Sequence, residues 1–394
     1  MGGPLDGFRV IDATTMISGP IATRMLGDQG AEVIKLEAPS GDLARSLGGR
    51  KRGMAPIFAV ANRNKRSVVL DLKQPRGLSL LHGLVKTADV FVQNFRPGAA
   101  ERIGIGEAAL RALRPDLVYV SISGFGDSGP YAHKRVYDPV IQALSGLAAI
   151  QGAGDAPRMM RLIVPDKLTA VTAAQAITAA LLARERTGEG QHVKLSMLDT
   201  VVAFHWPEAM AQHTFVGPDI GVTRPSDVRD LAFETADGHI TAGTVSNAEW
   251  QGFCKAAGRD DLLADARFST AAGRVKHADA RLEAMAEILR TRDSAHWLRV
   301  LDEAQVPCAP ILTRMQLLED AQLAHNDLIF ESDHPHAGRM RQPRPAARFD
   351  DSAWELKQHA PLLGEHTDAV LTELGVSAEE LSSLRTSGTL GESD

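Results

Sequence analysis

The residues best suited to chemistry in this sequence lie between Arg135 and Lys167, and the most conspicuous of them is Asp166. It stands in the run Val164-Pro165-Asp166-Lys167, directly before the least polar long segment of the chain. An aspartate in that place can cap the helix that follows. The positive end of a helix also lowers the pKa of a carboxylate and keeps it ionised, as a nucleophile requires. Spacing alone therefore leaves a helix cap and a catalytic carboxylate as alternatives.

A second pair of titratable residues, Tyr137 and Asp138, lies upstream beside Pro139. A tyrosine next to an aspartate at a proline is typical of a hydrogen-bonded turn. The same pair also offers two groups to a functional site. The spacing does not decide between these interpretations.

A basic cluster with no acid in it occupies residues 50 to 66, as Arg50-Lys51-Arg52 and Arg63-Asn64-Lys65-Arg66. In a protein of net charge −6, such a cluster indicates an anion site, and the phosphates of a nucleotide-like ligand are natural partners. A solvated loop is the alternative. The overall negative charge argues against a general nucleic-acid-binding protein.

Two other motifs carry weaker signals. The run from Gly124 to Gly129 has the spacing G-x-G-x-x-G, but Pro130 follows it and no acid stands about 20 residues beyond, so a glycine-rich turn is favoured over a dinucleotide site. His334-Pro335-His336 offers two imidazoles to a metal. Histidines around a proline in an open segment are usually solvated, and no metal is expected.

The composition predicts an ordinary globular protein in a reducing compartment. Its 394 residues, of which 44% are hydrophobic, exceed what one core normally covers. Cys254 and Cys308 form no CxxC pair and fit small core residues. The N-terminus lacks the features of a secretory signal, and the uncharged run from Leu168 to Ala183 is short for a membrane span. We therefore expect a soluble, cytoplasmic protein.

The fold class follows from the alternation of short apolar runs with helix-like stretches, which is the pattern of parallel β/α units. Strands are predicted at residues 8–12, 31–37, 67–71, 89–93, 117–123 and 191–196. A helix from Leu168 to Arg186 precedes the last of these and is predicted to stop at Gly188. We expect an α/β protein with a Rossmann-like doubly wound parallel sheet, whose ligands bind beyond the carboxyl ends of the strands.

The domain organisation is predicted from changes in composition. Residues 1–206 form the N-terminal part of a large Rossmann-like domain, and the proline-containing segment 207–229 is a linker. Residues 230–330 form a smaller α+β domain, 331–348 a return linker, and 349–394 complete the large domain. No internal repeat is evident.

Several longer motifs occur in one order along the chain. They are Pro4 to Gly7, Ser18 to Pro20, Leu26 to Glu37, Asn62 to Ser67, Leu70 to Lys73, Asp89 to Gly98, Ala183 to Gln191, Val306 to Pro310 and Pro361 to Thr367. Together they resemble the class III CoA-transferases, a family that includes formyl-CoA transferase, carnitine CoA-transferase and the 2-methylacyl-CoA racemases. The resemblance runs from about residue 4 to residue 390.

The resemblance implies that Asp166 is the catalytic aspartate, which in the family precedes a long helix of small residues. It implies a CoA cleft lined by Met16, Ile17, Leu70, Asp71, Leu72, Lys73, Asn94, Phe95, Arg96, Arg102, Arg135, Val136, Tyr137 and Asp138. It further implies an interlocked homodimer in which each chain passes through a ring made by the other, with the CoA-binding large domain of one subunit against the small domain of its partner. Acyl-CoA and a carboxylic acid are the expected substrates, with no tightly bound cofactor, metal, nucleic acid or membrane.

Two departures from the family pattern narrow this expectation. Many members have a basic residue shortly after the second strand, where this chain has Ala38, so one adenine or phosphate contact is expected to be missing. Formyl-CoA transferases carry a long glycine loop over the active site, whereas the matching run from Thr241 to Ser246 has only Gly243. Oxalate and formate are therefore not favoured as substrates.

Tyr137 distinguishes the subfamilies, because racemases usually have a histidine followed by aspartate at this position. A tyrosine, with an ordinary pKa of about 10, is a poor base at neutral pH. We therefore expect CoA to pass from an acyl-CoA donor to a free carboxylic acid through a mixed anhydride and an aspartyl-CoA thioester on Asp166, with Tyr137 facing it. A 2-methylacyl-CoA racemase or epimerase and a non-catalytic CoA-binding paralogue are the alternatives.

Overall fold

The computed structural model describes residues 3–152, 156–217, 231–349 and 354–391. The chain divides into two compact units, one formed by Met1–Thr214 with Leu328–Asp394 and the other by Phe215–Asp327. The linker predicted at 207–229 lies outside the described residues from position 218 onward, and Pro207 near its start lies inside a helix. Every predicted site residue belongs to the first unit.

A six-stranded parallel sheet forms the centre of the first unit. Its strands are β1 (Arg9–Ala13), β2 (Glu32–Glu37), β3 (Lys65–Val69), β4 (Val90–Gln93), β5 (Val118–Ser123) and β6 (His192–Ser196), in the spatial order β3-β2-β1-β4-β5-β6. All six predicted strands are confirmed, with β3 beginning two residues early at Lys65. The order reverses between β1 and β4, so the loops after these strands flank the crevice where doubly wound sheets bind ligands.

Helices cover both faces of this sheet. They are α1 (Ser18–Asp28), α2 (Pro56–Ala61), α3 (Pro75–Val85), α4 (Ala99–Arg102), α5 (Glu107–Leu113), α6 (Asp138–Leu144), α7 (Leu147–Gln151), α8 (Val164–Thr187) and α9 (Met197–Ala209), with short 3-10 helices at Leu43–Ser46 and Ala211–His213. Successive strand residues face opposite sides. Ile11 and Phe91 join the core with α3 and α5, whereas Val10 and Val92 join the core with α1 and α8.

The longest helix, α8, positions the candidate nucleophile. Its alanine-rich face, including Ala170, Ala173 and Ile177, packs into the core that it shares with α1. The helix ends at Gly188, whose φ of 76° is left-handed, and this confirms the predicted stop. It begins at Val164, four residues before the predicted start, because Pro165 is tolerated in a first helical turn. Asp166 therefore lies inside the helix.

The second unit is an α+β arrangement with its own core. Strands β7 (Phe233–Glu234), β8 (His239–Ala242) and β9 (Cys308–Pro310) form an antiparallel sheet. Its helices are α10 (Asn247–Ala256), α11 (Asp260–Ala264), α12 (Ala271–Lys276), α13 (Ala278–Leu289), α14 (Ser294–Glu303), α15 (Arg314–Leu317) and α16 (Ala321–His325). Trp250, Phe253 and Trp297 are buried in this core with Cys254.

The chain then returns to the first unit. An antiparallel hairpin, β10 (Ile329–His334) and β11 (Gly338–Pro343), is followed by α17 (Thr367–Glu373) and α18 (Ala378–Thr386). Leu371 and Leu384 pack into the same core as Leu81 of α3. The C-terminal helices thus close one face of the parallel sheet.

Candidate active site

Asp166 is the third residue of α8, and the expectation that it caps this helix is wrong. The residue before the helix is Ile163, which makes no side-chain cap. The carboxylate that reaches the exposed helix start belongs to Asp138, whose Oδ2 accepts a hydrogen bond from the Asp166 amide at 3.2 Å. The Asp166 side chain is consequently free for another role.

The environment raises the pKa of Asp166 to about 6. Burial has the largest effect, the negative charge of Asp138 adds to it, and hydrogen bonds from the side chain and backbone of Ser18 oppose it. The expectation that the helix start would lower this pKa is wrong, since burial and a like charge outweigh the helix dipole. At pH 7 the ionised form still exceeds the protonated form about tenfold.

Ser18 is a further functional candidate. In the sequence it is evident only as part of the motif Ser18 to Pro20. It is the first residue of α1, is buried, and lowers the pKa of Asp166 through its side chain and backbone. Helices α1 and α8 pack side by side, and Ser18 and Asp166 belong to their respective first turns. Gly19 permits the close approach of α1 to the loop after β1, because a Cβ there would lie 2.3 Å from the Cβ of Thr14.

The loop that leads from β1 into α1 is fixed amide by amide. The Thr14 amide donates to Asp12 Oδ1, the Thr15 amide to Asn94 Oδ1 and the Met16 amide to Asp42 Oδ1, each at 3.0 Å. Asn94 Nδ2 also donates to the Thr15 carbonyl at 2.9 Å, which joins the loops after β1 and β4. Met16 is held at a φ of 71°, a left-handed conformation that is costly for a residue other than glycine.

Buried ion pairs lie beneath this loop. Lys35 Nζ contacts Asp42 at 2.9 Å and Lys65 Nζ contacts Asp12 at 2.8 Å, and none of the four side chains is exposed. Lys35 Nζ also donates to the Thr14 carbonyl. The loop therefore rests on charges that are already paired.

In the basic cluster predicted as an anion site, the cations from Arg63 to Arg66 form ion pairs with carboxylates of this chain. Arg63 pairs with Asp28, Lys65 with Asp12, and Arg66 with Glu32 and Glu373. Both predicted alternatives are wrong for this half of the cluster, because Arg63 and Lys65 are fully buried. The other half, Arg50-Lys51-Arg52, is exposed.

The remaining predicted cleft residues lie beyond the carboxyl ends of the strands. Leu70 to Lys73 follow β3 at the edge of the sheet, Asn94 to Arg96 follow β4, Arg102 ends α4, and Arg135 to Asp138 lead into α6. The structure joins the residues near β1, β4, α6 and α8 by the contacts above. Leu70 is 1% exposed within the core, whereas Lys73 is exposed, and the assignment of Leu70 to the CoA cleft stays a prediction.

Tyr137 and Asp138 differ sharply in their surroundings. The Tyr137 side chain is 64% exposed, and within the described ranges it makes no hydrogen bond or ring contact, so its facing Asp166 stays a prediction. Asp138 is buried and accepts a hydrogen bond from Gln142 Nε2 at 2.6 Å. Gln142 Oε1 in turn accepts from the Met160 amide at 2.8 Å. This chain of contacts holds the segment before α8 against α6.

A cavity of about 720 Å³ opens on that segment. Its lining residues are two arginines, one glutamine and three apolar residues: Arg158, Arg161, Gln151, Met159, Met160 and Leu162. Among the residues that the structure describes, no acidic side chain lines it. The cavity is therefore suited to a ligand with both apolar and anionic parts.

The run from Gly124 to Gly129 and the run from His334 to His336 both serve to shape the backbone. Gly126 and Gly129 have φ values of 93° and 90°, which confirms a glycine-rich turn. His334 is buried, and its Nδ1 accepts from the amides of His336 and Ala337, so the expectation that it is solvated is wrong. Among the described residues, no group of three or more metal-ligating side chains is found, and no helix is long and apolar enough to cross a membrane.

Comparison with known proteins places these features in a family. Residues 5–367 match the family described as CoA-transferase family III. The chain belongs to this family. The predicted family and the prediction that the protein is an enzyme of this kind, with CoA as a substrate, are thereby confirmed.

Curated members of CoA-transferase family III match over almost the whole chain. Succinyl-CoA:glutarate CoA-transferase of Mus musculus is 34% identical, covering 94% of this chain and 86% of that protein. Formyl-CoA:oxalate CoA-transferase of Streptomyces avermitilis is 33% identical, with 98% and 99% covered. Succinyl-CoA:mesaconate CoA-transferase of Haloarcula hispanica is 34% identical, with 95% and 97% covered.

Solved structures of similar proteins support the fold. A CAIB/BAIF family protein from Brucella suis superposes with a TM-score of 0.81 at 30% identity, covering 95% of this chain and 100% of that one. A hypothetical protein from Mycobacterium tuberculosis gives a TM-score of 0.82 at 31% identity, with 93% and 99% covered. The mixed α/β fold with a parallel sheet is thus shared with family structures.

Proposed function

We propose that this family III CoA-transferase moves CoA from an acyl-CoA donor to a free carboxylic acid, with Asp166 as the covalent nucleophile. The observation that carries the proposal is the position of the Asp166 carboxylate. It is partly buried at the start of α8, its pKa is lowered by the side chain and backbone of Ser18 at the start of α1, and it lies beside the switch point of the sheet. A carboxylate in that setting is ionised at neutral pH and only weakly solvated, which favours nucleophilic attack.

The reaction proceeds in four balanced steps. Ionised Asp166 attacks the thioester carbonyl of the donor, giving a mixed anhydride and CoA thiolate. The thiolate attacks the aspartyl carbonyl, which releases the donor acid and leaves an aspartyl-CoA thioester. The acceptor carboxylate attacks this thioester and expels CoA thiolate, which then attacks the acceptor acyl group and frees Asp166. The energy of the thioester is retained throughout, so no ATP is required.

Ser18 serves these steps as a hydrogen-bond donor. Its amide and hydroxyl lower the pKa of the Asp166 carboxyl and so favour its ionised form in the resting enzyme. When the Asp166 carbonyl is attacked, negative charge returns to an aspartyl oxygen, and the same donors stabilise it. The loops at Met16, Ile17 and Asn94 to Arg96 bound the crevice assigned to CoA in this proposal.

The acceptor is proposed to be a dicarboxylic acid longer than oxalate. The acceptors named for the three curated relatives, glutarate, oxalate and mesaconate, are all dicarboxylic acids. The cavity before α8 carries Arg158 and Arg161, and guanidinium groups bind carboxylates strongly. The interlocked homodimer expected from the family belongs to the same proposal, with a second subunit completing the site.

Trapping the intermediate tests the role of Asp166. The enzyme is incubated with succinyl-CoA and hydroxylamine and then digested, and mass spectrometry locates the hydroxamate. We expect the adduct on the peptide that contains Asp166 and on no other. Asp199 provides a matched control, because it is also the third residue of a helix, α9. Asp199→Ala should retain both adduct and turnover, whereas Asp166→Asn should lose both.

Two results would overturn the proposal. Normal turnover by Asp166→Asn would exclude covalent catalysis at this residue. Incorporation of solvent deuterium beside the thioester carbonyl of a 2-methylacyl-CoA, without any acceptor acid and without an adduct, would assign the racemase reaction instead.

A further inference from the structure

The side chains of the buried pair Lys35 and Asp42 are fully enclosed by protein, and the proposed chemistry does not use them. Lys35 is fully buried and Asp42 is 2% exposed. Although burial disfavours the charge of Lys35, the carboxylates of Asp12, Asp42 and Glu37 raise its pKa, so it stays charged. Replacing such a pair by apolar residues of similar volume is often neutral or stabilising. Its presence therefore calls for a reason other than stability.

The contacts of Asp42 supply that reason. One carboxylate oxygen, Oδ2, accepts from Lys35 Nζ at 2.9 Å. The other, Oδ1, accepts from the Met16 amide at 3.0 Å and from the Ala44 amide at 2.9 Å. The Asp42 amide donates to Glu37 Oε2 at 3.0 Å. Hydrogen bonds thus hold both the backbone and the carboxylate of Asp42 in place. One carboxylate oxygen binds the amide of Met16, the left-handed residue of the loop.

The conformation of Met16 decides where Ser18 lies. Met16 is two residues before the start of α1, and its φ of 71° turns the chain into that helix. A non-glycine residue leaves this conformation unless its surroundings hold it, since its Cβ then lies too close to the following carbonyl oxygen. Relaxation of Met16 would move Ser18, and with it the amide and hydroxyl that lower the pKa of Asp166.

We propose that Lys35 and Asp42 form a positioning pair for catalysis: they hold Met16 in its left-handed conformation and thereby fix the Ser18 donors on Asp166. Neither residue touches substrate in this role. The inference rests on the proposed function of Asp166, and it adds two residues outside the crevice to the residues that set the reaction rate.

The test compares Asp42→Ala with Asp28→Ala. Asp28 belongs to another buried ion pair, with Arg63, at the C-terminal end of α1, so both variants lose the carboxylate of a buried ion pair. We expect Asp42→Ala to lower kcat about 100-fold with a KM for acyl-CoA changed less than about threefold, since misplacement without loss of contact acts on the rate. The acid limb of the kcat profile should move to higher pH, because Ser18 no longer lowers the pKa of Asp166, while Asp138 still faces it. Asp28→Ala should lower the melting temperature without moving that limb.

A double variant separates positioning from loss of folding. Glycine adopts a positive φ readily. In a Met16→Gly background, the additional loss of kcat caused by Asp42→Ala should therefore shrink at least about fivefold relative to its loss in the wild type. If Asp42→Ala caused the same loss of kcat in both backgrounds, the inference would be overturned. It would also be overturned if Asp42→Ala lowered the melting temperature as Asp28→Ala does and left the acid limb of the kcat profile unshifted. Failure of the proposed function is distinguishable, since it would show as absence of the Asp166 adduct in the unmodified enzyme.

Discussion

Asp166 lies between two regions that are built in opposite ways. On one side, the loop from Thr14 to Met16 has each of its three amides bound by a side chain from elsewhere, and the charges beneath it are buried and paired. On the other side, the segment before α8 exposes Met159 and Leu162, at 50% and 62%, around an open cavity. The first region holds donors at a fixed position, and the second leaves side chains available to a ligand.

This difference separates two requirements of the proposed reaction. The steps on the Asp166 carboxyl are the same for every donor and acceptor, so their donors benefit from rigid placement. Acyl groups vary in size and charge, and contact with them requires side chains that are not already engaged. Substitutions in the β1 loop should therefore change kcat, whereas substitutions around the cavity should change KM for one substrate more than for another.

The largest effect is expected from Gly19→Ala. A Cβ at this position would lie 2.3 Å from the Cβ of Thr14, closer than side-chain atoms approach, so the start of α1 must shift. Because the shift moves the Ser18 donors, we expect kcat to fall about 100-fold or more. Gly49→Ala is the control, since a Cβ there would meet no atom within 4 Å. Steady-state kinetics on both variants check this, and a loss below about threefold in Gly19→Ala would contradict a rigid loop.

The second effect concerns pH. Asp166 must be ionised to attack, and burial and Asp138 raise its pKa to about 6, so kcat should fall as the pH drops through 6. Asp138→Asn removes the neighbouring negative charge, and the acid limb should move to lower pH. Its kcat at pH 8 should fall about tenfold, because one amide oxygen replaces the two acceptors used by Asp166 and Gln142. An acid limb unchanged in Asp138→Asn would contradict this electrostatic coupling.

The sequence predicted most of the fold because its signals are local. Apolar runs separated by helical stretches identify the strands, and a glycine after Thr187 marks the end of α8. The start of α8 was misplaced because the pattern of small residues begins later than the helix does. Pro165 at the helix start provides the signal that corrects it.

The electrostatics of the site were not predictable in the same way. Lys65 resembles a free cation in sequence, and the carboxylate that pairs with it, Asp12, lies 53 residues away. The pKa of Asp166 depends likewise on Asp138, 28 residues away, and on burial between two helices. Such ion pairs and pKa shifts arise only when the sheet brings distant segments together. A sequence pattern therefore identifies the charged residues but not the partners that they contact.

A smaller effect is expected on the exposed side of Asp166. Gln142 is buried and connects Asp138 to the Met160 amide, which anchors the cavity segment. Gln142→Leu keeps the volume and removes both contacts. We expect KM for a dicarboxylic acceptor to rise about three- to tenfold, with kcat changed less than about threefold, since the β1 loop is untouched. If Gln142→Leu instead lowered kcat and left KM unchanged, the segment before α8 would act on the reaction rate as the β1 loop does.

A still more selective change is Arg161→Met, which removes a cavity cation without disturbing the backbone. We expect kcat/KM for a dicarboxylic acceptor to fall about tenfold while a monocarboxylic acceptor of equal length is little affected, because only the former has a second carboxylate to bind. Arg186→Met is the matched control, since Arg186 is also exposed and lies 20 residues after Asp166, about 30 Å along α8. Equal losses for both acceptors would remove Arg161 from acceptor binding.

The smallest effect is expected at Tyr137. Its side chain is 64% exposed, and within the described ranges its hydroxyl has no hydrogen-bond partner. Tyr137→Phe should therefore change kcat less than about threefold and leave the free energy of unfolding unchanged. The same deletion at Tyr119 is the control, because that buried hydroxyl donates to the Ile105 carbonyl at 2.9 Å, and its loss should cost about 1–3 kcal/mol of stability. If Tyr137→Phe instead lowered kcat by about 100-fold, the hydroxyl would take part in proton transfer, and the exposed side of Asp166 would share the chemistry now assigned to the β1 loop alone.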